Sequence, residues 1–161
     1  MKHLTIIIHW RGPFVREEIK NSHGGNGLYL FGGKCRYERK SQLQYCGITK
    51  TSYQKRFREH HKLPKITRDL EIWLGKVLYP NQVNRHILEE AERLMVYFWQ
   101  PPLNERKKVN PPKQPTSLIS HWFKQDGSPR FRQVGLAGPL EDVLCWDGQF
   151  WRCGELRIKR A

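Results

Sequence analysis

Side chains that can bind phosphate and transfer protons are concentrated between residues 27 and 60. Tyr29 and Tyr45 lie in two short apolar runs, and Arg56 and His60 follow at a spacing of four residues. Residues four apart lie on one face of a helix, so the arginine and the histidine are expected side by side. A guanidinium carries a fixed fork of donors that suits a phosphate group. The spacing therefore predicts two tyrosines on strands, followed by a helix that carries two cationic or titratable groups.

The elements that must position these residues are two strands and a helix. The runs Gly27–Phe31 and Leu43–Ile48 are rich in β-branched and aromatic residues, and a polar stretch with Gly32-Gly33 separates them, which is typical of a β-hairpin with a longish loop. Thr51 or Ser52 can cap a helix that begins after the second run. The segment is predicted to fold as strand, strand and helix.

A longer helix is predicted from about Asn81 to Trp99, and it carries a carboxylate at the border of its apolar face. That face is formed by Val83, Ile87, Leu88, Ala91, Leu94, Met95 and Phe98. Glu92 lies at its margin, whereas Glu89 projects to the polar side. A carboxylate beside an apolar stripe loses solvation unless it meets a cation or a metal, although a helix-border glutamate can also extend into solvent.

A series of motifs in a fixed order resembles the GIY-YIG nuclease family. The two strand motifs are Gly27-Leu28-Tyr29 and Tyr45-Cys46-Gly47, followed by the helix with Arg56, the helix with Glu92, and a Pro-Pro-Leu-Asn ending at Asn104. The resemblance covers about residues 26 to 105, and the pairs Arg56 with His60 and Glu92 with Asn104 are closer to the restriction-endonuclease branch than to the excision-repair branch.

The resemblance implies a mixed α/β (α+β) fold built on a small core. The core is a three-stranded, mainly antiparallel sheet flanked by helices, with an N-terminal strand and a C-terminal hairpin as extensions. The corresponding domain division is residues 1–25 for the N-terminal extension, 26–105 for the nuclease core, 106–116 for a basic proline-rich linker and 117–161 for a C-terminal extension rich in tryptophan and arginine.

The resemblance also implies an activity, a divalent-metal-dependent DNA endonuclease that hydrolyses phosphodiester bonds. Tyr29 is the expected general base and Tyr45 its partner in orienting the water or the phosphate, and which tyrosine takes the proton is left open. Arg56 is expected to clamp the scissile phosphate. His60 is expected to hydrogen-bond a tyrosine or the phosphate, and Glu92 to bind Mg²⁺ or Mn²⁺.

Asn104 supports the resemblance, and the sequence departs from the family pattern in two ways. Asn104 is expected to be structural and to tie the helix end to the strand that bears Tyr29. The lysine that is common directly after the second motif is absent, because Ile48 stands there, so Lys50 or Lys34 would have to activate the tyrosine. Leu28 and Cys46 replace isoleucines, a change that keeps both positions apolar.

Charge favours a nucleic acid partner. The 161 residues include 29 Lys and Arg against 15 Asp and Glu, a net charge of +14 that exceeds what solubility requires. A basic ribosome-associated protein, or a protein that is merely highly charged, is the alternative. The candidate contacts to DNA, double-stranded in the first instance, are Lys34, Arg36, Arg39, Lys107, Lys108, Arg130, Arg132 and Arg152. The interleaved C-terminal tryptophans and arginines fit either a DNA-facing surface or a small satellite core.

The flanks give coarser expectations. Residues 3–10 are predicted to form a buried strand at the edge of the central sheet, Leu70–Leu78 a third strand, Ser117–Lys124 a short amphipathic piece, and Asp147-Gly148 the turn of a hairpin. His23 lies near the first motif, but a lone loop histidine is more often a solvent-exposed residue than a catalytic one.

Cysteine spacing and the N-terminus bear on the compartment. The four cysteines form no C-x-x-C pair, which argues against a zinc ribbon and favours reduced thiols in the cytoplasm. The apolar N-terminal run is too short for a signal peptide or a membrane span. A homodimer is expected if the DNA site is palindromic. A nucleic-acid-binding protein that keeps the nuclease fold without cutting is the alternative function.

Overall fold

The structure is a computed structural model that describes residues 2–20 and 25–161, so His23 lies outside the described residues. Its elements are β1 (Leu4–Phe14), β2 (Gly25–Cys35), β3 (Gln42–Ser52), α1 (Tyr53–Arg58), β4 (Ile66–Tyr79), α2 (Arg85–Trp99), β5 (Thr116–Phe123), β6 (Val143–Trp146) and β7 (Trp151–Gly154). The mixed α+β class is confirmed. The sheet is larger than the predicted three-stranded core, because the flanking segments add strands to it.

The seven described strands form one sheet in the order β3-β2-β4-β1-β5-β6-β7. The pairing of β1 with β5 is parallel, and the other pairings are antiparallel. The prediction that the N-terminal strand lies at the edge of the sheet is wrong. β1 is central because β4 pairs with one side of it and β5, the predicted amphipathic piece, pairs with the other.

The two faces of the sheet carry different apolar clusters. On one face, the buried side of α2 packs on Ile6, Ile8 and Trp10 of β1 together with alternate residues of β2 and β4. On the other face, α1 covers a smaller cluster that contains Tyr29 and Phe31. Strand side chains alternate between faces, so successive residues of β2 enter different clusters.

The two α-helices begin at capped residues. Ser52 caps α1 by accepting a hydrogen bond from the Lys55 amide, which places α1 directly after β3. Asn84 caps α2 in the same way at 3.0 Å from the Ile87 amide, so this helix begins at Arg85 rather than at Asn81. The described residues contain these two α-helices, and neither is long and apolar enough to cross a membrane.

The C-terminal hairpin is present with a longer turn than a two-residue one. Trp146 of β6 pairs with Trp151 of β7, and residues 147–150 connect them. The Asp147 carboxylate accepts hydrogen bonds from the Gln149 and Phe150 amides, which closes the turn.

Candidate active site

The two motif glycines make room for tyrosine side chains. Gly47 pairs with Tyr29 across the β2–β3 ladder, and a Cβ at Gly47 would lie 2.4 Å from the Tyr29 ring. A Cβ at Gly27 would lie 2.0 Å from the hydroxyl of Tyr53, which donates to two backbone carbonyls of neighbouring strands at 3.0 and 3.1 Å. Each motif glycine is therefore required by the close approach of an aromatic ring.

Arg56 and His60 converge on one atom, the hydroxyl oxygen of Tyr29. Arg56 Nε lies 3.2 Å and His60 Nε2 lies 3.0 Å from this oxygen. Both residues belong to α1 or to the turn after it, and the buried Phe57 anchors that helix by an edge contact with the Tyr29 ring at 5.0 Å between centroids. His60 therefore contacts a motif tyrosine, one of its two expected partners, and Arg56 contacts the same oxygen.

The tautomer of His60 follows from its second nitrogen. Nδ1 accepts hydrogen bonds from the backbone amides of Lys62 at 3.1 Å and Leu63 at 3.3 Å, so it carries no proton. Nε2 therefore holds the proton and donates it to Tyr29. Burial, followed by the charge of Arg56, lowers the pKa of His60 to about 4, which keeps the ring neutral at neutral pH.

The two motif tyrosines differ in burial. Tyr29 is fully buried, and burial raises its pKa although the charge and hydrogen bond of Arg56 oppose the rise. Tyr45 stacks against it at 6.1 Å between ring centroids and is partly exposed. Burial and then the Glu92 carboxylate raise the pKa of Tyr45, while Arg56 lowers it. Of the two tyrosines, Tyr45 is the one that reaches solvent.

Glu92 of α2 is held by a lysine. Its carboxylate lies 2.5 Å from Lys107 Nζ, and its side chain is 13% exposed. Its charge acts on both motif tyrosines and on the buried Cys46, so it faces the strand that carries Tyr45. Lys107, predicted to contact DNA, is instead paired with the predicted metal ligand in this structure.

Glu92 is the metal ligand that the resemblance implies. Within the described residues, no cluster of three or more His, Cys, Asp or Glu side chains could hold an ion. The protein would therefore supply a single carboxylate from Glu92, which suits Mg²⁺ because this ion keeps several waters and takes its other ligands from substrate phosphate.

Asn104 ties the segment after α2 to the sheet, but not to the expected strand. Its side chain accepts from the Cys46 amide and donates to the Cys46 carbonyl, each at 2.9 Å. The expected partner was the strand that bears Tyr29, which is β2. The partner is β3 because β3 is the edge strand, whose outward backbone groups are left for a side chain to bind.

The two lysines considered for activating the tyrosine lie elsewhere. Lys34 forms an ion pair with Asp69 at 2.9 Å. Lys50 is exposed near the end of β3, where its charge contributes to the lowered pKa of Glu89, an effect due first to the hydrogen bond from Arg85. The positive charge beside the tyrosines comes from Arg56 instead.

The eight candidate DNA contacts do not form one surface. Arg36 and Arg39 are exposed in the β2–β3 loop, and Arg132 is exposed after β5. Arg152 lies on β7 and pairs with Asp147. Because β7 and β3 are opposite edges of the sheet, six strand spacings, about 29 Å, separate them.

The remaining candidates are held by backbone or lie in the segment after α2. Arg130 donates to the Gly12 carbonyl at 2.9 Å. Lys108 is half-buried, and its carbonyl accepts a hydrogen bond from Gln100.

Two features of the site could not be predicted from the sequence. They are the ion pair of Lys107 with Glu92 and the backbone amides that donate to His60, because both depend on how loops fold back.

Comparisons with known proteins do not extend this description: no family model matches the chain, and no curated protein or solved structure matches it. The resemblance to GIY-YIG nucleases therefore depends on the motifs themselves. The structure adds that the tyrosines of the two strand motifs stack on each other, and that the arginine and histidine that follow them converge on Tyr29.

Proposed function

We propose that the protein is a divalent-metal-dependent DNA endonuclease of restriction or mobile-element type that hydrolyses phosphodiester bonds. One observation carries the proposal: the Tyr29 hydroxyl receives hydrogen bonds from Arg56 and His60 while Tyr45 stacks beside it. Two donors aimed at one phenol oxygen stabilise negative charge there, and a phenol that is to take part in proton transfer needs such stabilisation.

Exposure assigns separate tasks to the two tyrosines. Tyr45 reaches solvent and Tyr29 does not, so Tyr45 contacts the attacking water. It can take the proton of that water only as a phenolate, after its own proton has passed to solvent, and the charges of Arg56 and of a bound metal ion would favour that form. Tyr29 accepts hydrogen bonds from Arg56 and His60, and in this position it would stabilise the negative charge of Tyr45 beside it. The roles implied by the family resemblance are thereby exchanged between the tyrosines.

Arg56 links the tyrosines to the phosphate. It uses Nε for the Tyr29 hydroxyl, and its terminal nitrogens carry the donors that would hold a non-bridging phosphate oxygen. Bound at Glu92, a Mg²⁺ or Mn²⁺ ion would neutralise the phosphate and lower the pKa of the attacking water. Because Glu92 is paired with Lys107, that ion would displace the ammonium.

A second candidate function is a nucleic-acid-binding protein that does not cut. The ion pair between Lys107 and Glu92 favours it, because this pair neutralises the proposed metal ligand. In either case the four free cysteines suit a reducing cytoplasm.

The test is cleavage of plasmid and phage DNA by the purified protein with Mg²⁺, with Mn²⁺ and with chelator. Discrete fragments that require the metal are expected, and a palindromic cut site would call for a homodimer. No cleavage of duplex, branched or single-stranded DNA with either ion would reject the nuclease and leave the binding protein.

Three variants test the assignment of residues. Tyr45→Phe, Tyr29→Phe and Glu92→Gln are each expected to reduce the cleavage rate by at least about 100-fold while duplex binding is retained. Tyr97→Phe is the matched control, since Tyr97 lies on α2 against Trp151. Wild-type cleavage by Tyr45→Phe would refute the role of Tyr45.

A further inference from the structure

One face of the sheet is only partly covered beyond α1. In β1, Ile6, Ile8 and Trp10 are buried in the cluster under α2, whereas the residues between them are partly exposed. β5 shows the same alternation. We call this surface the open face, and it consists of Thr5, Ile7, His9 and Arg11 of β1, Lys76 of β4, and Ser117, Ile119, His121 and Phe123 of β5.

The open face is cationic. Lys76, His9 and His121 form one row across three adjacent strands, because Lys76 pairs with His9 and His9 with His121. Arg11 lies two residues further along β1. No residue of the open face as defined carries a carboxylate. The four groups are close enough to interact, since burial and then the charges of Arg11, His121 and Lys76 lower the pKa of His9.

The open face lies on the same side of the sheet as the candidate active site. Arg11 pairs with Leu74, and Leu74 pairs with Tyr29, so these three side chains lie on the same face of adjacent strands. Two strand spacings, about 10 Å, therefore separate the backbone of Arg11 from that of Tyr29. A ligand that reaches Tyr45 from this side would extend over β4, β1 and β5.

We propose that the open face seats the double-stranded DNA that the candidate active site cuts, with Arg11 and Lys76 on its phosphates. This inference rests on the proposed function and names the seat of its substrate. Charge complementarity supports it, as does the position of the open face on the side of the sheet that carries the candidate active site. A duplex is favoured over a single strand because Phe123, the aromatic residue of the open face that could stack on a base, packs against His9 at 3.9 Å between centroids.

The test is binding of a labelled duplex of about 20 base pairs, measured by fluorescence anisotropy in chelator at several salt concentrations. The double variant Arg11→Gln with Lys76→Gln is expected to bind duplexes of unrelated sequence several-fold more weakly than the wild type does. The slope of log K against log salt should fall by about two, since each lost phosphate contact removes about 0.9.

The matched control is Arg85→Gln with Lys113→Gln, which removes the same two charges elsewhere. Arg85 begins α2, which packs on the opposite face, and Lys113 is exposed before β5. If the two double variants lose affinity and slope equally, or if only single-stranded DNA is affected, the inference is refuted. Arg11→Lys, which keeps the charge, should retain the wild-type slope and separates charge loss from misfolding.

The outcomes separate this inference from the proposed function. If the wild-type protein cuts no DNA and the double variant Arg11→Gln with Lys76→Gln loses duplex binding, the open face is supported as the DNA-binding surface and the nuclease function is rejected. If the wild-type protein cuts DNA and the double variant binds duplexes normally, the nuclease function is supported and the open face is rejected as the DNA-binding surface.

Discussion

His60 Nε2 donates its proton to the Tyr29 hydroxyl across 3.0 Å, and the backbone sets the direction of this hydrogen bond. The amides of Lys62 and Leu63 point at Nδ1, so the proton is confined to Nε2. A buried, neutral histidine in this position makes Tyr29 an acceptor. Protonation of His60 would force Nδ1 to release both amides.

The first prediction concerns acid stability. The pKa of His60 is about 4 in the folded protein and near 6.5 in the unfolded chain. Between these values the unfolded state binds more protons, so the free energy of unfolding rises with pH. The contribution of His60 is complete above pH 6.5 and is lost as the pH falls towards 4, on the order of 3 kcal/mol in total.

Urea unfolding of wild type and His60→Gln at a series of pH values measures this contribution. The difference in the free energy of unfolding between the two proteins should shrink as the pH falls from 6.5 to 4. His86→Gln removes an exposed histidine of α2 and should follow the wild-type profile. A constant difference between wild type and His60→Gln would show that His60 does not titrate as expected.

The second prediction concerns Arg56. Arg56→Lys keeps the charge but loses the planar fork that binds Tyr29 and that would bind a phosphate oxygen at the same time. In an active nuclease, kcat should fall by about 100-fold or more, with little change in duplex affinity. Arg58→Lys alters an exposed arginine of the same helix and should cut normally. Equal cleavage rates for the two variants would show that Arg56 is not part of the active site.

The third prediction concerns the ion pair between Lys107 and Glu92. Lys107→Gln removes the ammonium that lies 2.5 Å from the carboxylate, so Mn²⁺ should bind several-fold more tightly. Titration calorimetry without DNA measures this affinity independently of cleavage. Arg106→Gln removes an exposed neighbouring charge and serves as the control. Weaker or unchanged Mn²⁺ binding by Lys107→Gln would argue against competition at Glu92.

The fourth prediction concerns Asn104. Asn104→Ala removes two hydrogen bonds from the backbone of Cys46 in a buried setting. The free energy of unfolding should fall by about 2–4 kcal/mol, because both backbone groups lose their partner. Asn110→Ala, at an exposed position, should change it by less than about 0.5 kcal/mol. Urea unfolding of both variants measures how much the two hydrogen bonds of Asn104 with Cys46 stabilise the protein.

The fifth prediction concerns the second motif glycine. Gly47→Ala places a Cβ 2.4 Å from the Tyr29 ring, so the ring or β3 must shift, at a cost of about 1–3 kcal/mol. Cleavage should fall as well, because the Tyr29 hydroxyl leaves its donors. Gly154→Ala adds a Cβ that meets nothing within 4 Å and should leave stability and cleavage nearly unchanged.

Local patterns predicted the elements that are formed by neighbouring residues. The β2–β3 hairpin, the Ser52 cap and the apolar face of α2 depend on contacts within a few residues, so their spacing in the sequence is informative. The position of β1 was not predictable in this way. Its parallel partner β5 lies about a hundred residues away, and alternation in either strand does not say which strand it pairs with.

The sequence by itself determined the residue types of the site, their order and the excess of positive charge. Two motif glycines, an arginine and a histidine four residues apart, and a carboxylate at the border of a predicted helix face are properties of the chain alone. The tertiary structure decided which atoms meet: His60 and Arg56 at Tyr29, Lys107 at Glu92, and Asn104 at the edge strand. Such contacts join residues up to 58 positions apart, and their geometry depends on the whole sheet because every intervening strand sets where each side chain lies.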